Sequence, residues 1–209
     1  MRADPPQVAW QGSLFDDAEP GRARLSFDGL RHDPLDERSW IDVVPGWVTD
    51  HAELFDELLA EAPWQQRTRT MWDKDVLEPR MVAVLPRPFP ARIAELVTPL
   101  NERYRVRFDS CLINLYRDGS DAVAWHADTV RKTMRDPLVA TVSLGARRAF
   151  LVRPATGGPI VRRYAPGEGD LVMMGGSMQH DWHHTVPREK CASGARMSVT
   201  LRHSRPAAS

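Results

Sequence analysis

Cysteine is scarce in this sequence, and long apolar runs are absent from it. Cys111 and Cys191 are the only cysteines among 209 residues, so the chain has no disulfide framework of the kind that stabilises small secreted domains. No apolar stretch approaches the roughly 20 residues that a transmembrane helix needs. The first residues, Met1 to Pro6, lack the apolar core of a secretory signal peptide. We therefore expect a cytoplasmic protein with no membrane partner.

The chain also lacks a net charge, since 28 basic residues balance 28 acidic ones. A neutral chain argues against a protein that binds polyanions without regard to their sequence. The charge is nevertheless uneven: residues 1–66 carry a balance of −9, from 5 basic and 14 acidic residues, and residues 67–209 carry +9, from 23 and 14. This asymmetry is typical of an acidic arm beside a body that could meet phosphate groups. A neutral body with a solvated acidic arm fits the same numbers.

Composition divides the chain into an N-terminal arm and one domain. Residues 1–22 are rich in acidic residues and proline, and we expect them to be disordered. Residues 23–209 are predicted to form a single domain, with a catalytic core at about 108–203. Residues 64–88 are rich in Arg, Trp and Met, which suits either base stacking with phosphate contact or a surface hairpin that covers the core. We interpret this stretch as a lid that binds the substrate.

Hydrophobic periodicity predicts two helices followed by a run of strands. The first helix is expected from about Asp50, as its capping residue, to Ala62. The second is expected over 90–103, with a break or kink at Pro99. The fold class is therefore mainly β with flanking helices, a jelly roll (double-stranded β-helix) with both helices packed on one sheet. The predicted strands are 108–116, 122–128, 138–144, 147–153, 160–164, 169–174 and 195–203.

Two pairs of polar residues occur close together within residues 114–128. Asn114 and Tyr116 form the first pair, and His126 and Asp128 form the second. The spacing of two puts both members of a pair on the same face of a strand. A His and an Asp on one wall can bind one metal together. One further His would complete a two-His, one-carboxylate triad, which is suited to non-haem Fe(II).

The third ligand of such a triad must come from a histidine farther along the chain. The candidates are His180, His183, His184 and His203. Because neighbours on a strand face opposite sides, strand geometry alone does not separate His183 from His184. Arg196 and Arg202 lie six residues apart on a predicted strand, an even spacing that lets both face the metal. Guanidinium groups bind carboxylates in a bidentate manner, which indicates a dicarboxylic cosubstrate.

Four short motifs occur in a fixed order along the second half of the chain. They are Asn-x-Tyr-x-x-Gly at 114–119, His-x-Asp at 126–128, Trp-x-His at 182–184 and Arg-x-x-x-x-x-Arg at 196–202. In this order they resemble the motifs of the AlkB family of Fe(II)- and 2-oxoglutarate-dependent dioxygenases. Glu78-Pro79-Arg80 resembles a weaker upstream element of the same family.

The resemblance implies a role for each residue of these motifs. Its catalytic iron ligands would be His126, Asp128 and His184, and it favours His184 over His183 because the family's ligand follows the Trp by two. The implied contacts of 2-oxoglutarate are Asn114, Tyr116, Arg196 and Arg202. Arg196 would pair with the far carboxylate of this cosubstrate.

The family's reaction is the oxidative dealkylation of bases such as 1-methyladenine and 3-methylcytosine, with release of formaldehyde and succinate. The resemblance therefore implies Fe(II), 2-oxoglutarate and O2 as cofactors and alkylated nucleic acid, with DNA favoured, as substrate. Relatives that repair these bases usually carry an acidic residue one or two positions after the metal Asp, whereas Thr129 and Val130 follow Asp128 here. An oxygenase acting on a protein or small molecule and a non-catalytic binding module therefore remain as alternatives.

Contacts with substrate and partner are predicted at two further places. Trp72, Arg80, Thr129 and Arg131 are the candidates for substrate binding. The run from Gln11 to Phe15, Gln-Gly-Ser-Leu-Phe, resembles the peptide by which bacterial replication and repair proteins dock in the sliding clamp. Gln11 would bond the pocket rim, and Leu14 with Phe15 would fill an apolar pocket or would instead pack on the body. We expect the protein to be a monomer.

Overall fold

The computed structural model describes residue 8 and residues 25–71, 74–192 and 194–204. Thirteen strands and three helices lie within these ranges. In chain order they are β1 (Arg31–Pro34), β2 (Ser39–Val44), α1 (His51–Glu61), β3 (Thr68–Met71), β4 (Lys74–Leu77), β5 (Met81–Leu85), α2 (Ala91–Tyr104), β6 (Ser110–Tyr116), β7 (Val123–His126), β8 (Val139–Gly145), β9 (Phe150–Pro154), β10 (Arg162–Tyr164), β11 (Leu171–Gly176), α3 (Met178–Asp181), β12 (Trp182–Val186) and β13 (Arg196–Arg202).

The strands form two antiparallel sheets and a separate hairpin. The larger sheet has seven strands in the order β1-β2-β11-β8-β13-β6-β5, and the smaller sheet has four in the order β10-β9-β12-β7. β3 and β4 form a two-stranded hairpin. Strands distant in sequence are neighbours in the sheets, as in a double-stranded β-helix. The predicted jelly roll is confirmed, and all seven predicted strands are present with ends shifted by at most three residues. The predicted strands do not include β12.

Side chains along β13 alternate between the hydrophobic core on one face and a polar cavity on the other. Met197, Val199 and Leu201 are fully buried in the core beneath the helices. The even-numbered residues of this strand, from Arg196 to Arg202, line a cavity between the two sheets. Successive side chains of a strand point to opposite faces, so one strand supplies both layers.

The two longer helices form the outer layer against the larger sheet. The buried side chains of α1 are His51, Leu54, Phe55 and Leu58, and those of α2 are Ile93, Leu96, Val97 and Leu100. The apolar members of both sets share one core cluster with Met197 and Val199 of β13. The prediction that both helices pack on one sheet is confirmed.

Two details of the predicted helices are wrong. The Asp50 side chain makes no capping hydrogen bond, because α2 brings Arg92 within reach and the carboxylate forms an ion pair with it. Helix α2 continues through Pro99 to Tyr104, so of the expected break or kink at this proline the break is absent. Ile93 and Leu100 are fully buried on either side of this proline, and their packing supports the helix on both sides of it.

A second apolar cluster closes part of the space between the sheets. Ile41 and Val172 from the larger sheet meet Phe150, Trp182 and Val186 from the smaller one. The remaining space is the polar cavity. No helix within the described part of the chain is long and apolar enough to cross a membrane.

Candidate active site

Three predicted metal ligands converge at one end of the cavity between the sheets. His126 is the last residue of β7, Asp128 follows it by two, and His184 lies on β12. β7 and β12 pair so that His184 lies directly opposite His126. One donor atom from each of the three residues lies within 4.8 Å of the others. The strand register therefore brings together residues that are 58 positions apart in the sequence.

Strand geometry also separates the other candidate histidines from this cluster. His183 pairs in register with Arg153 of β9, and its side chain points to the opposite face of the sheet from that of His184. The ring of His180 bonds the carbonyl oxygen of Met134 at 2.8 Å. His203 Nε2 accepts a hydrogen bond from a backbone N–H at 2.9 Å. Among the described residues, the three-membered cluster contains His184 alone of the four candidates.

The protonation of the two histidines suits metal binding. His126 Nδ1 donates to the carbonyl oxygen of Ala124 at 2.8 Å, which leaves Nε2 as the lone-pair nitrogen. Burial lowers the pKa of His184 to about 3, so its imidazole is neutral at physiological pH. Neutral imidazoles are the form in which histidine binds a metal.

Asp128 is a buried carboxylate that stays ionised. Burial alone would raise its pKa, but the charge of Arg202, which also donates hydrogen bonds to this carboxylate, outweighs burial and lowers the pKa below its ordinary value. Its backbone N–H donates to Gln179 Oε1 at 2.7 Å, which fixes the residue in place. Two imidazoles and one carboxylate form the donor set expected for a non-haem Fe(II) site, so the residues present fit this metal.

Arg196 is a buried guanidinium with incomplete hydrogen bonding. Its side chain lies 5.5 Å from the ring centroid of Tyr116, and Nη2 donates to Ser143 Oγ at 2.7 Å. Nε and Nη1 are buried with no hydrogen-bond partner in the described structure. Burial lowers the pKa of Arg196, which reflects the cost of an unpaired charge away from water. A carboxylate ligand in the cavity would give this charge a partner and accept a hydrogen bond from one of the two free nitrogens.

Arg202 has a different environment from Arg196. Its Nε lies 3.2 Å from Asp128 Oδ1, and Nη2 forms an ion pair with the same oxygen. The residue expected to contact 2-oxoglutarate thus holds the carboxylate of a predicted metal ligand. Both arginines still line the same cavity.

Asn114 and Tyr116 also line the cavity, as their spacing on β6 predicts. Asn114 Oδ1 accepts a hydrogen bond from Arg80 Nε at 3.0 Å, and its Nδ2 lies 3.4 Å from Ser198 Oγ. The glycine of the same motif, Gly119, has a steric role. A Cβ atom at Gly119 would lie 1.7 Å from the carbonyl oxygen of Glu189, so only glycine permits this close approach of the two loops.

The cavity has a volume of about 250 Å³ and is lined from both sheets and from the predicted lid. Thr129 and Arg80 line it, together with Arg67. Arg131 is exposed and does not belong to the lining. Trp72 lies outside the described residues. The proposed clamp-docking residues Gln11, Leu14 and Phe15 also lie outside them.

Known proteins resemble this chain in sequence and in fold. A sequence model of the 2OG-Fe(II) oxygenase superfamily matches residues 80–202. The chain belongs to this superfamily. It is 31% identical over 188 residues to the Bos taurus alpha-ketoglutarate-dependent dioxygenase alkB homolog 3, a match that covers 78% of this chain and 66% of the bovine protein. It is 35% identical over 118 residues to the Arabidopsis thaliana DNA oxidative demethylase ALKBH2, which covers 46% of this chain and 38% of the plant protein.

The human alkB homolog 3 is 32% identical to this oxygenase over 189 residues, and the match covers 78% of this chain and 66% of the human protein. The chain thus spans just under two thirds of the length of these relatives. The solved structure of OsALKBH1 superposes with a TM-score of 0.59 and 17% identity, covering 83% of this chain and all of the other. At this identity the likeness shows the fold alone. The relatives confirm the resemblance to the AlkB family.

Membership of the superfamily identifies the chain as a dioxygenase that uses Fe(II), 2-oxoglutarate and O2. Two supporting residues of the oxygenase were not among the predicted site residues. Ser143, the partner of Arg196, lies with Thr141 on the otherwise apolar strand β8, and two polar residues at a spacing of two in such a strand are a usable signal. Gln179 precedes β12 in the short helix α3, and no feature of its local sequence indicates that it contacts Asp128.

Proposed function

We propose that this oxygenase dealkylates N-alkylated bases in nucleic acid, with DNA as the favoured substrate, and so contributes to the repair of alkylation damage. The observation that supports this proposal most directly is that a compact triad and a buried guanidinium with two unsatisfied nitrogens lie in one cavity. The donor atoms of the triad lie within 4.8 Å of one another. Arg196 lines the same cavity with two unsatisfied N–H groups.

His126, Asp128 and His184 would hold the Fe(II), and Arg196 would bind the far carboxylate of 2-oxoglutarate. When bound there, the iron and 2-oxoglutarate would allow O2 to oxidise the carbon of an N-methyl group, which is released as formaldehyde. In the same reaction 2-oxoglutarate is converted to succinate and CO2. A charge-assisted, bidentate contact suits the carboxylate of this cosubstrate. Asn114 and Tyr116 would complete its binding site from the adjacent strand.

Other residues hold these groups in position and keep water away. Arg202 holds Asp128 Oδ1, while the carbonyl oxygen of Ala124 sets the tautomer of His126. The ring of Phe150 stacks on the ring of His184, with 5.1 Å between the two ring centroids. This aromatic wall shields His184 from solvent, so the oxidising site is dry on the side of the smaller sheet.

Support for nucleic acid comes from the cavity mouth and from the relatives. Arg67 and Arg80 line the cavity from within the proposed lid, residues 64–88, and guanidinium groups suit phosphate contacts. The plant relative ALKBH2 is named as a DNA oxidative demethylase. A target base would have to leave its stack to reach a cavity between two sheets. Thr129 would contact this base from the rim of the metal site.

The proposal is tested by screening the purified protein with Fe(II), 2-oxoglutarate and O2 against methylated oligonucleotides. The substrates carry 1-methyladenine or 3-methylcytosine in single- and double-stranded DNA and RNA, and unmethylated oligonucleotides serve as controls. We expect formaldehyde and succinate in equal amounts from at least one methylated DNA. Succinate formation that no methylated oligonucleotide stimulates would contradict the proposal and favour a protein or small-molecule substrate.

We also propose that the N-terminal arm, residues 1–22, tethers the enzyme to the bacterial sliding clamp through Gln11, Leu14 and Phe15. A tether of this kind raises the local enzyme concentration near replicating DNA. A peptide of residues 5–19 should bind purified clamp with micromolar affinity, and the double change Leu14→Ala with Phe15→Ala should abolish this binding. Absence of clamp binding by the full-length protein would exclude the tether.

A further inference from the structure

A groove adjoins the candidate active site along the outer edge of the smaller sheet. It has a volume of about 560 Å³ and shares Arg80, Val123 and His126 with the cavity that contains the triad. This volume lies within the range of about 300–1,000 Å³ that is usual for ligand sites. Its edge strand is β7, the last strand of the smaller sheet. One wall carries Leu77, an apolar side chain that is 59% exposed.

The floor of this groove carries Trp125, whose ring is covered on one side by a cation. The Arg153 guanidinium lies 4.3 Å from the ring centroid, so the two side chains form a cation–π pair. Arg153 lies on β9 and Trp125 on β7, and the two strands flank β12. The pair therefore spans the outer face of the smaller sheet, on the opposite side from the triad.

The positive charge of this pair is not balanced within the described structure. The Nε of Arg153 is buried there without a hydrogen-bond partner. The carboxylate that lines the groove, Glu78, is 3.2 Å from Arg80 and is neutralised by it. Arg188 adds an exposed cation on the opposite wall. The groove thus combines an aromatic face and an apolar wall with the exposed guanidinium of Arg188, and Arg153 lies against the ring of its floor.

This combination is the one by which proteins bind single-stranded nucleic acid. Bases stack on aromatic side chains, and arginines track the phosphates. We propose that the groove binds the nucleotide next to the target base of a single strand, with its base stacked on Trp125 and a phosphate near Arg188. The inference rests on the proposed function, because the groove opens beside the predicted iron ligand His126. A base stacked on Trp125 is unpaired, so the groove selects single strands over duplexes.

The test uses the protein loaded with Fe(II) and 2-oxoglutarate without O2, so that binding occurs without turnover. The probe is a fluorescein-labelled single-stranded DNA with one 3-methylcytosine, measured by anisotropy. Trp125→Ala should raise Kd roughly tenfold, within the range for loss of one stacked base. Trp125→Phe, which keeps an aromatic face, should stay within about threefold of the original protein. With O2 present, KM should rise in parallel while kcat changes less.

Arg163 provides the matched control, because it is an exposed arginine on β10 of the same sheet and outside the groove. Arg163→Ala should change Kd by less than about twofold. If Trp125→Ala does not fold, Arg188→Glu tests the same groove through an exposed residue, with an expected loss of roughly tenfold and an unchanged Tm.

Two negative outcomes can be told apart. A folded Trp125→Ala or Arg188→Glu variant with unchanged Kd and KM, beside an original protein that dealkylates the probe, would overturn the groove assignment alone. In that case the Trp125–Arg153 pair only covers the sheet. An original protein that neither binds nor dealkylates any methylated oligonucleotide would overturn both the groove assignment and the proposed function.

Discussion

Arg196 and Arg148 are both buried beside the ring of Tyr116, but they differ in how they are bonded. Each is only 1% exposed, and their guanidinium carbons lie 5.5 and 5.8 Å from the ring centroid. Arg148 donates to the carbonyl oxygens of Asp118, Asp121 and Pro187 at 2.8–3.0 Å. Arg196 donates to Ser143, and its Nε and Nη1 have no partner in the described structure. Substituting each by methionine therefore asks which arginine serves the fold and which serves a ligand.

We expect Arg196→Met to weaken 2-oxoglutarate binding strongly without destabilising the protein. Loss of one side of a buried charge pair costs about 2–5 kcal/mol, which corresponds to a rise in Kd of roughly 30-fold to several thousandfold. In the absence of the cosubstrate, the same change removes an unpaired buried charge. Replacing such a charge by an apolar side chain of similar volume is often neutral or stabilising. The Tm without 2-oxoglutarate should therefore stay constant or rise.

Arg148→Met should show the opposite behaviour. It leaves three carbonyl oxygens without a donor, each at a cost of about 1–3 kcal/mol, so the free energy of unfolding should fall by at least about 2 kcal/mol. Both variants are measured by anaerobic titration of 2-oxoglutarate into the Fe(II) protein and by thermal unfolding with and without 2-oxoglutarate. An Arg196→Met variant that binds 2-oxoglutarate within threefold of the original protein would refute the assignment of Arg196.

Further substitutions test the triad and the lid. His184→Ala should abolish iron-dependent succinate formation and His183→Ala should largely preserve it, and the reverse result would contradict the ligand assignment. Asp128→Asn keeps the shape of the side chain but removes the charge that the metal needs, so an anaerobic Fe(II) titration should show lost affinity; unchanged affinity would exclude Asp128 as a ligand. Trp72→Ala should weaken binding of single-stranded DNA by about 1–3 kcal/mol; unfolding of this variant would indicate instead that Trp72 covers the core.

Much of the site could be predicted from sequence because every second side chain of a strand lies on the same face. A spacing of two predicts that Asn114 and Tyr116 lie on one wall, and both residues line the cavity. The same rule could not choose between His183 and His184, because it fixes only that they face opposite ways. The choice depends on which strand lies beside β12 and in which register, and this is a tertiary property.

Contacts between distant elements account for the predictions that were wrong or incomplete. Asp50 has the sequence of a helix cap, but its carboxylate is paired with Arg92 from another helix. Arg202 faces the cavity as its spacing from Arg196 predicts, yet its guanidinium holds Asp128. Spacing gives the face on which a side chain lies, whereas its partner depends on which strand or helix the fold places opposite.

The neighbouring histidines of β12 make the pairing of this strand a condition for metal binding. A shift of one residue against β7 would turn His183 inward and His184 outward. It would also carry Trp182 out of the core, where its indole N–H donates to Asp36 Oδ2 at 2.8 Å and its ring is 92% buried. The burial and hydrogen bond of Trp182 therefore stabilise the correct register of β12. The interval of two between Trp182 and His184 places both side chains on the same face of β12, so correct pairing of this strand also assembles the triad.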